Sequence, residues 1–398
     1  MHARSTGTKP CSGAEFGFKM RTLAIVTGLF LIATCFQDIF EAVLLPRRID
    51  REWRFMYFFY RFGWSFWSAI ASRFGAGRRR ESIIAIFGPL SMVLLFIMWG
   101  LSLVVGFGLI QWGLSVGSGL GTPLIRQFDL SADAFFTLGI ENLATRAQIS
   151  LILIFVEAGT GFGFIALMVS YLPVLYQHFS QRDARLVQLD ARAGTPATAG
   201  TVLRRYVELG SPSELVLWLA EWEHWAADLV ETHSAYPMLA FYRSQHENQS
   251  WLATLGVLLD LTAFLLVSGD DLLLIPASGT FLSARRVLKE ICISLGVDPL
   301  KRKTVGTRST ASDRASLVQL MDSASWKYDK PSVDENALND LVASYEPMLQ
   351  ALSRYLLLPL PTLLPSSEQV DEKHTDDART RLLKRVLEDA VGSNQRDR

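Results

Sequence analysis

The stretch that decides the fold is residues 128–143, which read Phe-Asp-Leu-Ser-Ala-Asp-Ala-Phe-Phe-Thr-Leu-Gly-Ile-Glu-Asn-Leu. Ser131 is a good N-cap residue, and an acid in the first turn, Asp133, favours a helix that starts there. The sequence therefore predicts a short helix over residues 132–136, little more than one turn long. A mainly polar segment, residues 137–142, follows this helix directly.

Long apolar runs lie on both sides of this stretch. A bilayer core of about 30 Å requires roughly 20 apolar helical residues. Residues 83–110 form one uncharged run, and residues 149–176 form another that contains a single charge, Glu157. A third run, residues 23–45, precedes both and is free of charge as far as Phe36. We therefore predict three membrane-spanning helices and a multi-pass protein of the cell membrane, which is the inner membrane in a Gram-negative cell.

The first apolar run has a second interpretation, because basic residues precede it as they precede a signal peptide. No convincing small-x-small cleavage site follows it, and the apolar character continues past Asp38, so a spanning helix is favoured. The loop over residues 46–81 carries nine arginines against three acids, which places it in the cytoplasm by the positive-inside rule. Its aromatic-rich part, residues 55–72, suits a helix in the membrane interface, with a fourth span as the alternative.

Composition excludes several classes of function. The 39 basic and 39 acidic residues balance, so bulk charge gives no attraction to nucleic acid and we expect no such partner. Three scattered cysteines indicate neither a disulfide framework nor a zinc site. No phosphate-binding loop, dinucleotide fingerprint or nucleophile elbow occurs. We therefore expect neither an enzyme nor a resident cofactor or metal.

The order of span, short helix, polar segment and span resembles the pore domain of potassium channels, in particular bacterial chains of the two-pore-domain potassium channel type. In that family the selectivity filter reads Thr-Val-Gly-Tyr-Gly-Asp after a short aromatic pore helix. Thr137 and Gly139 match two of these positions, and Leu138 is apolar where the family has Val. Three positions differ from the family, namely Ile140 for Tyr, Glu141 for the second Gly and Asn142 for Asp.

The resemblance implies an all-α membrane protein with a potassium-channel-like pore, an additional N-terminal span and a helical cytoplasmic domain. Its function would be passive transport of monovalent cations, potassium above all, through a homotetrameric pore in the lipid bilayer. Backbone carbonyls and the Thr137 hydroxyl would replace the water shell of the ion. Glu141 puts the outer sites in doubt. The alternative is therefore a non-conducting, membrane-anchored sensor or scaffold that has kept the pore fold.

The third apolar run contains further candidate residues. Gly159, Gly161 and Gly163 lie where the resembled family carries a hinge in its inner helix, and glycine weakens a helix by about 1 kcal/mol relative to alanine. Close helix packing through small residues is the alternative interpretation. Glu157 is an intramembrane acid and is therefore a candidate functional residue. A hydrogen-bonded position behind the filter and an ion-binding position both remain open for it.

We divide the chain into four predicted regions. Residues 1–81 hold the tail, the first span and the basic interfacial segment, and residues 82–180 form the pore domain. Residues 181–365 form a helical cytoplasmic domain, and residues 366–398 form a polar tail. In the cytoplasmic region Trp218, Trp222 and Trp225 form a one-sided stripe that predicts core packing. Residues 251–268 are apolar and borderline in length for a span, and we interpret them as a buried helix.

Overall fold

The computed structural model describes residues 12–44, 55–75, 77–115, 123–139, 148–194, 197–209, 211–245, 249–268, 271–301, 306, 308–323 and 334–365. Within these ranges the regular secondary structure is helical and contains no strand. The α-helices are α1 (Ser12–Ile39), α2 (Phe55–Ala71), α3 (Arg78–Ser115), α4 (Leu124–Phe135), α5 (Gln148–Ala193), α6 (Ala199–Leu209), α7 (Pro212–Ala235), α8 (Trp251–Val267), α9 (Asp271–Leu295), α10 (Ala311–Asp322) and α11 (Glu335–Leu356). A π-helical turn, Phe40–Leu44, extends α1, and a 3₁₀ helix, Pro237–Phe241, follows α7.

Three helical segments are long and apolar enough to cross a membrane. They are Gly17–Val43, Arg78–Ser115 and Gln148–Ala193. The prediction of an all-α chain with three membrane-length helices is confirmed for the described residues. The aromatic-rich helix α2 has 17 residues and is not among the three.

Residue contacts divide the chain into two compact units. Unit 1 comprises Met1–Trp67 and Ile86–Tyr176, and unit 2 comprises Ser68–Ala85 and Gln177–Arg398. The start of α3 and the end of α5 thus belong to unit 2, although most of each helix belongs to unit 1. The four predicted regions remain predictions.

In unit 1, α1 packs against α3 through glycines. A methyl group placed on Gly28 would lie 2.5 Å from the carbonyl oxygen of Gly106, and one placed on Gly106 would lie 2.7 Å from the side chain of Ile32. A methyl group on Gly113 would similarly lie 2.6 Å from Ile25. Residues later in α3 contact residues earlier in α1, so the two helices are antiparallel. Glycine permits this close approach of two helix backbones, as is common between membrane helices.

A buried carboxylate near the end of α1 joins three helices of unit 1. Asp38 accepts a hydrogen bond of 2.8 Å from the indole Nε1 of Trp99 in α3. The backbone N–H of Met56, in the first turn of α2, donates to the same carboxylate at 3.3 Å. These two hydrogen bonds compensate for the burial of Asp38. The second also satisfies a backbone N–H at the start of α2, where such groups have no intrahelical partner.

In unit 2, α8 is the central core helix. The hydroxyl of Ser250 accepts hydrogen bonds from the backbone N–H groups of Leu252 and Ala253 and so caps the helix. Of the 17 residues in α8, 14 are buried within the unit. The interpretation of residues 251–268 as a buried helix is confirmed. The core position predicted for the tryptophan stripe of α7 is also confirmed, because Trp218, Trp222 and Trp225 are at most 4% exposed.

The one acid in the middle of α8 is compensated by a polar network. Arg308 donates to Asp260 at 2.9 Å and to Glu346 in α11 at 3.0 Å, and the Tyr345 hydroxyl donates to Asp260 at 2.7 Å. Burial raises the pKa of Asp260, and the charge of Arg308 opposes that rise. A buried ion pair tolerates its loss of hydration only when hydrogen bonds satisfy its atoms in this way.

We predict that Gly28→Ala lowers the melting temperature of the purified full-length protein, because the added methyl would overlap the Gly106 backbone. Gly17→Ala in the same helix is the matched control, since no atom lies within 4 Å of a methyl group at that position. Helix propensity alone favours alanine by about 1 kcal/mol at either site. The control should therefore be neutral or more stable. A melting temperature that rises equally in both variants would contradict the α1–α3 contact.

Candidate functional site

Helix α4 is longer than the sequence predicts and begins at Leu124 rather than at Ala132. Pro123 precedes the first turn, and no side chain caps the helix there. The predicted N-cap, Ser131, lies inside the helix instead. Its hydroxyl donates to the Val104 carbonyl oxygen at 2.7 Å and also contacts Glu157, so it does not cap the helix. The predicted short helix is present and ends at Phe135, but its predicted start at Ala132 was wrong, because a tertiary contact and not helix capping determines the role of Ser131.

The contacts between α4 and α3 define the direction of α4. A methyl group on Gly108 would overlap the ring of Phe128, and Ser131 bonds to Val104. One turn further along α4, the ring of Phe135 lies 3.9 Å from the position of a methyl group on Gly100. Later residues of α4 therefore contact earlier residues of α3. The two helices are therefore antiparallel over this contact.

The contacts between α4 and α5 run in the opposite sense. Ser131 contacts Glu157, and the ring of Phe135 lies 5.7 Å, between centroids, from that of Phe164. A methyl group on Gly161 would overlap the backbone carbonyl of Phe135. Later residues of α4 thus contact later residues of α5, so the two helices run parallel.

The carboxyl group of Glu157 joins all three helices. It is 0% exposed. One of its oxygens accepts a hydrogen bond of 2.7 Å from the Nε2 of Gln111 in α3, and the other meets the Ser131 hydroxyl of α4. We call Glu157, Ser131 and Gln111 the Glu157 cluster. A fully buried carboxyl without partners would cost free energy. The contacts within the Glu157 cluster therefore compensate for its burial, and they also fix the position of α4.

Helix α4 ends in a tight turn. The Phe136 N–H donates to Ala132 at 2.9 Å, the Thr137 N–H to Ala134 at 3.2 Å and the Leu138 N–H to Asp133 at 2.9 Å. The last two bonds form the Schellman pattern, in which the residue after the helix takes a left-handed conformation.

That left-handed position is occupied by Thr137, with φ of 55°. Glycine is usual there, and a β-branched residue is an outlier. Gly139 follows with φ of 110°. Glycine adopts such an angle readily, whereas the left-handed conformation of Thr137 costs about 1–3 kcal/mol, and strain of that kind concentrates at functional sites.

The residues that follow α4 are exposed. Leu138 is 72% exposed and Phe136 is 48% exposed, and Thr137 and Gly139 are exposed as well. The structure thus brings Thr137, Leu138 and Gly139 to the end of α4 in an accessible turn. The remaining predicted filter residues, Ile140, Glu141 and Asn142, lie outside the described residues.

The charges on α4 are the reverse of those that stabilise a helix. Arg126 lies in the first turn, where an acid is favourable, and Asp133 lies near the last, where no basic residue occurs. Each reversed charge costs about 0.3–1 kcal/mol at an exposed site. The arrangement concentrates negative potential at the C-terminal end of α4, beside Thr137.

The three predicted hinge glycines differ in their surroundings. Gly161 meets the end of α4, whereas no atom lies within 4 Å of a methyl group placed on Gly159 or on Gly163. Helix α5 is continuous across all three. A packing requirement thus acts at Gly161, and the role of the three glycines as a hinge remains a prediction.

Comparisons with protein-family models, with curated proteins and with solved structures found no match for this chain. The functional interpretation therefore rests on the residues and contacts described above.

We predict that Gly161→Ala displaces the end of α4 and lowers the melting temperature, because its methyl group would overlap the Phe135 carbonyl. Gly159→Ala and Gly163→Ala provide two controls in the same helix, and both should be neutral or slightly stabilising. Thermal unfolding of the full-length protein in detergent measures all three. Equal behaviour of the three variants would contradict the placement of α4 against α5.

We predict that Glu157 and Ser131 are energetically coupled. Glu157→Ala should destabilise the protein more than Glu157→Gln, because the amide can still bond to its neighbours. A double-mutant cycle of Glu157→Ala and Ser131→Ala should give a coupling energy of about 1 kcal/mol, as expected for a hydrogen bond between membrane helices. Additive effects of the two substitutions on the free energy of unfolding would show that the contact does not form.

Proposed function

We propose that this protein is a cation channel of the potassium-channel type, in which four copies enclose one pore and ions pass through it passively. The observation that carries this proposal is the course of α4, which ends part of the way along the two long apolar helices that it contacts. A helix of 12 residues is about 18 Å long, which is well short of a bilayer core of about 30 Å.

The chain after α4 must return towards the level at which α4 began. Phe135 lies opposite Gly100 in α3, which is about 15 Å along the helix from the end of the apolar run at Ile110. Phe135 also lies opposite Gly161, and the helical rise from there back to Gln148 is about 20 Å. The 12 residues between Phe135 and Gln148 are long enough for this return, because extended chain covers about 3.3 Å per residue. A re-entrant pore helix and a returning filter strand fit this path.

The chemistry at the turn suits a cation. The C-terminal end of a helix carries a partial negative charge, and Asp133 adds to it. Non-helical backbone at membrane depth is tolerated where it lines a water-filled cavity or is buried in protein. The exposed residues 136–139 meet that condition if their carbonyl groups face a shared ion path.

One copy of this turn cannot surround an ion, so the proposal requires assembly. We infer a homotetramer, in which residues 137–142 of four chains meet at one axis and Glu141 forms a ring at the outer mouth. Four carboxylates at close range repel one another by about 1–4 kcal/mol per pair, which a bound cation relieves. The second candidate function is a non-conducting sensor or scaffold, and it is favoured by one feature of the sequence, namely that Glu141 stands where the resembled filter has glycine.

We predict that Gly139→Ala reduces cation flux into liposomes by at least about tenfold, because a side chain at φ of 110° is strained. Glu141→Gly should raise the preference for potassium over sodium, and Glu141→Gln should weaken block by divalent cations. Gly17→Ala, in α1, is the control and should conduct as the wild type does, because no atom lies within 4 Å of a methyl group at that position. Flux that is insensitive to all of the filter substitutions would exclude this segment as the ion path. Absence of flux in the wild type and in Glu141→Gly would favour the scaffold.

A further inference from the structure

Unit 2 contains a large cavity lined by basic side chains at the start of α3. Its volume is about 970 Å³. Among the residues that the structure describes, four arginines line it, namely Arg78, Arg80, Arg243 and Arg354, together with one acid, Glu81. We call it the arginine cavity. All of its lining residues belong to unit 2, because Ser68–Ala85 is part of that unit.

The arginines of this cavity come from three distant parts of the sequence. Arg78 and Arg80 begin α3, Arg243 follows the 3₁₀ helix, and Arg354 lies in the last turn of α11. Like charges repel, so their convergence on one cavity is unfavourable in itself. A bound anion would offset this repulsion.

Glu81 is the acid that the structure describes in the lining of this cavity. Its carboxylate lies 3.7 Å from Arg243, whose side chain is 9% exposed. Arg243 also donates to the Leu357 carbonyl oxygen at 3.1 Å, which holds it against the end of α11. Burial lowers the pKa of Arg243 to about 10, with Arg80 adding to the fall and Glu81 opposing it. Arg243 is thus a fixed wall of the cavity.

Arg80 is the residue best placed to bind a ligand. Its Nε is buried, and no residue that the structure describes forms a hydrogen bond with that atom. The cavity also includes Gly77 and the first turn of α3, where backbone N–H groups lack intrahelical partners and favour an anion. Guanidinium groups bind phosphate oxygens in pairs, with better geometry than any other side chain.

We propose that the arginine cavity binds a phosphate-bearing anion. The three arginines at residues 78–80 are separated only by Glu81 from the uncharged run of residues 82–125. If α3 crosses the bilayer, Arg78 and Arg80 lie at the depth of the lipid headgroups, where anionic phosphodiesters are abundant. A lipid headgroup and a soluble phosphate would both present a phosphate group to the arginines, so either could be the source of the ligand. Binding there is independent of conduction through the pore.

The test is ligand-dependent thermal unfolding of the purified full-length protein in a neutral detergent. The probes are inorganic phosphate, compared with chloride at equal ionic strength, and short-chain phosphatidylglycerol, compared with short-chain phosphatidylcholine. We expect an anionic phosphate probe to raise the melting temperature by at least about 4 °C at saturation. A rise with both anionic probes indicates that phosphate itself suffices, and a rise with phosphatidylglycerol alone identifies the lipid headgroup as the source.

The variants locate the binding site. Arg80→Gln combined with Arg354→Gln should raise the apparent Kd at least about tenfold, because each charged hydrogen bond to phosphate is strong. Arg79→Gln is the matched control, since Arg79 is exposed and does not line the cavity. Ser82→Glu places an acid in the cavity without removing an arginine, and an acid also suits the first turn of α3. It should abolish binding in a folded protein.

Two results would overturn the proposal. The first is the absence of any melting-temperature rise in the wild type with phosphate and with phosphatidylglycerol. The second is a rise that Ser82→Glu and Arg79→Gln retain equally, which would place the anion elsewhere on the protein.

Discussion

The contact between the Glu157 carboxyl and the Ser131 hydroxyl is the interaction on which unit 1 depends. It connects α4 to α5, and the amide of Gln111 extends the connection to α3. Burying a carboxyl in an apolar helix costs free energy. The contacts of Glu157 with Ser131 and Gln111 offset that cost, and the contact with Ser131 forms only when α4 lies in this position. The direction of α4, and the place where its C-terminal end meets Gly161, both follow from that position.

The end of α4 combines three features that helix stability alone would oppose. Thr137 takes a left-handed conformation that favours glycine, Asp133 lies at the negative end of the helix dipole, and Phe136 and Leu138 are exposed. Local preferences that are violated together mark a functional site more often than a structural one. The proposed cation path assigns a single role to all three, since an ion and three neighbouring copies would compensate for the charge, the strain and the exposure.

Much of the fold could be predicted from the sequence, because hydrophobic periodicity and length are local properties. The three apolar runs, the buried helix at residues 251–268 and the tryptophan stripe of α7 all appear in the structure. The start of α4 could not be predicted. Ser131 has the local features of an N-cap, but Val104 and Glu157 bind its hydroxyl from other helices. The arginine cavity was equally inaccessible to sequence reasoning, because Arg80, Arg243 and Arg354 are far apart in the chain and meet only when unit 2 has folded.

The most direct test of the proposed pore is an experimental structure of the full-length protein in lipid nanodiscs. We predict four copies around one axis, with Thr137 and Gly139 closer to that axis than any residue of α3 and with the C-terminal end of α4 near the middle of the bilayer. A monomer or dimer in which residues 136–139 face lipid or bulk water would contradict the proposal, as would an α4 that lies flat on the membrane surface.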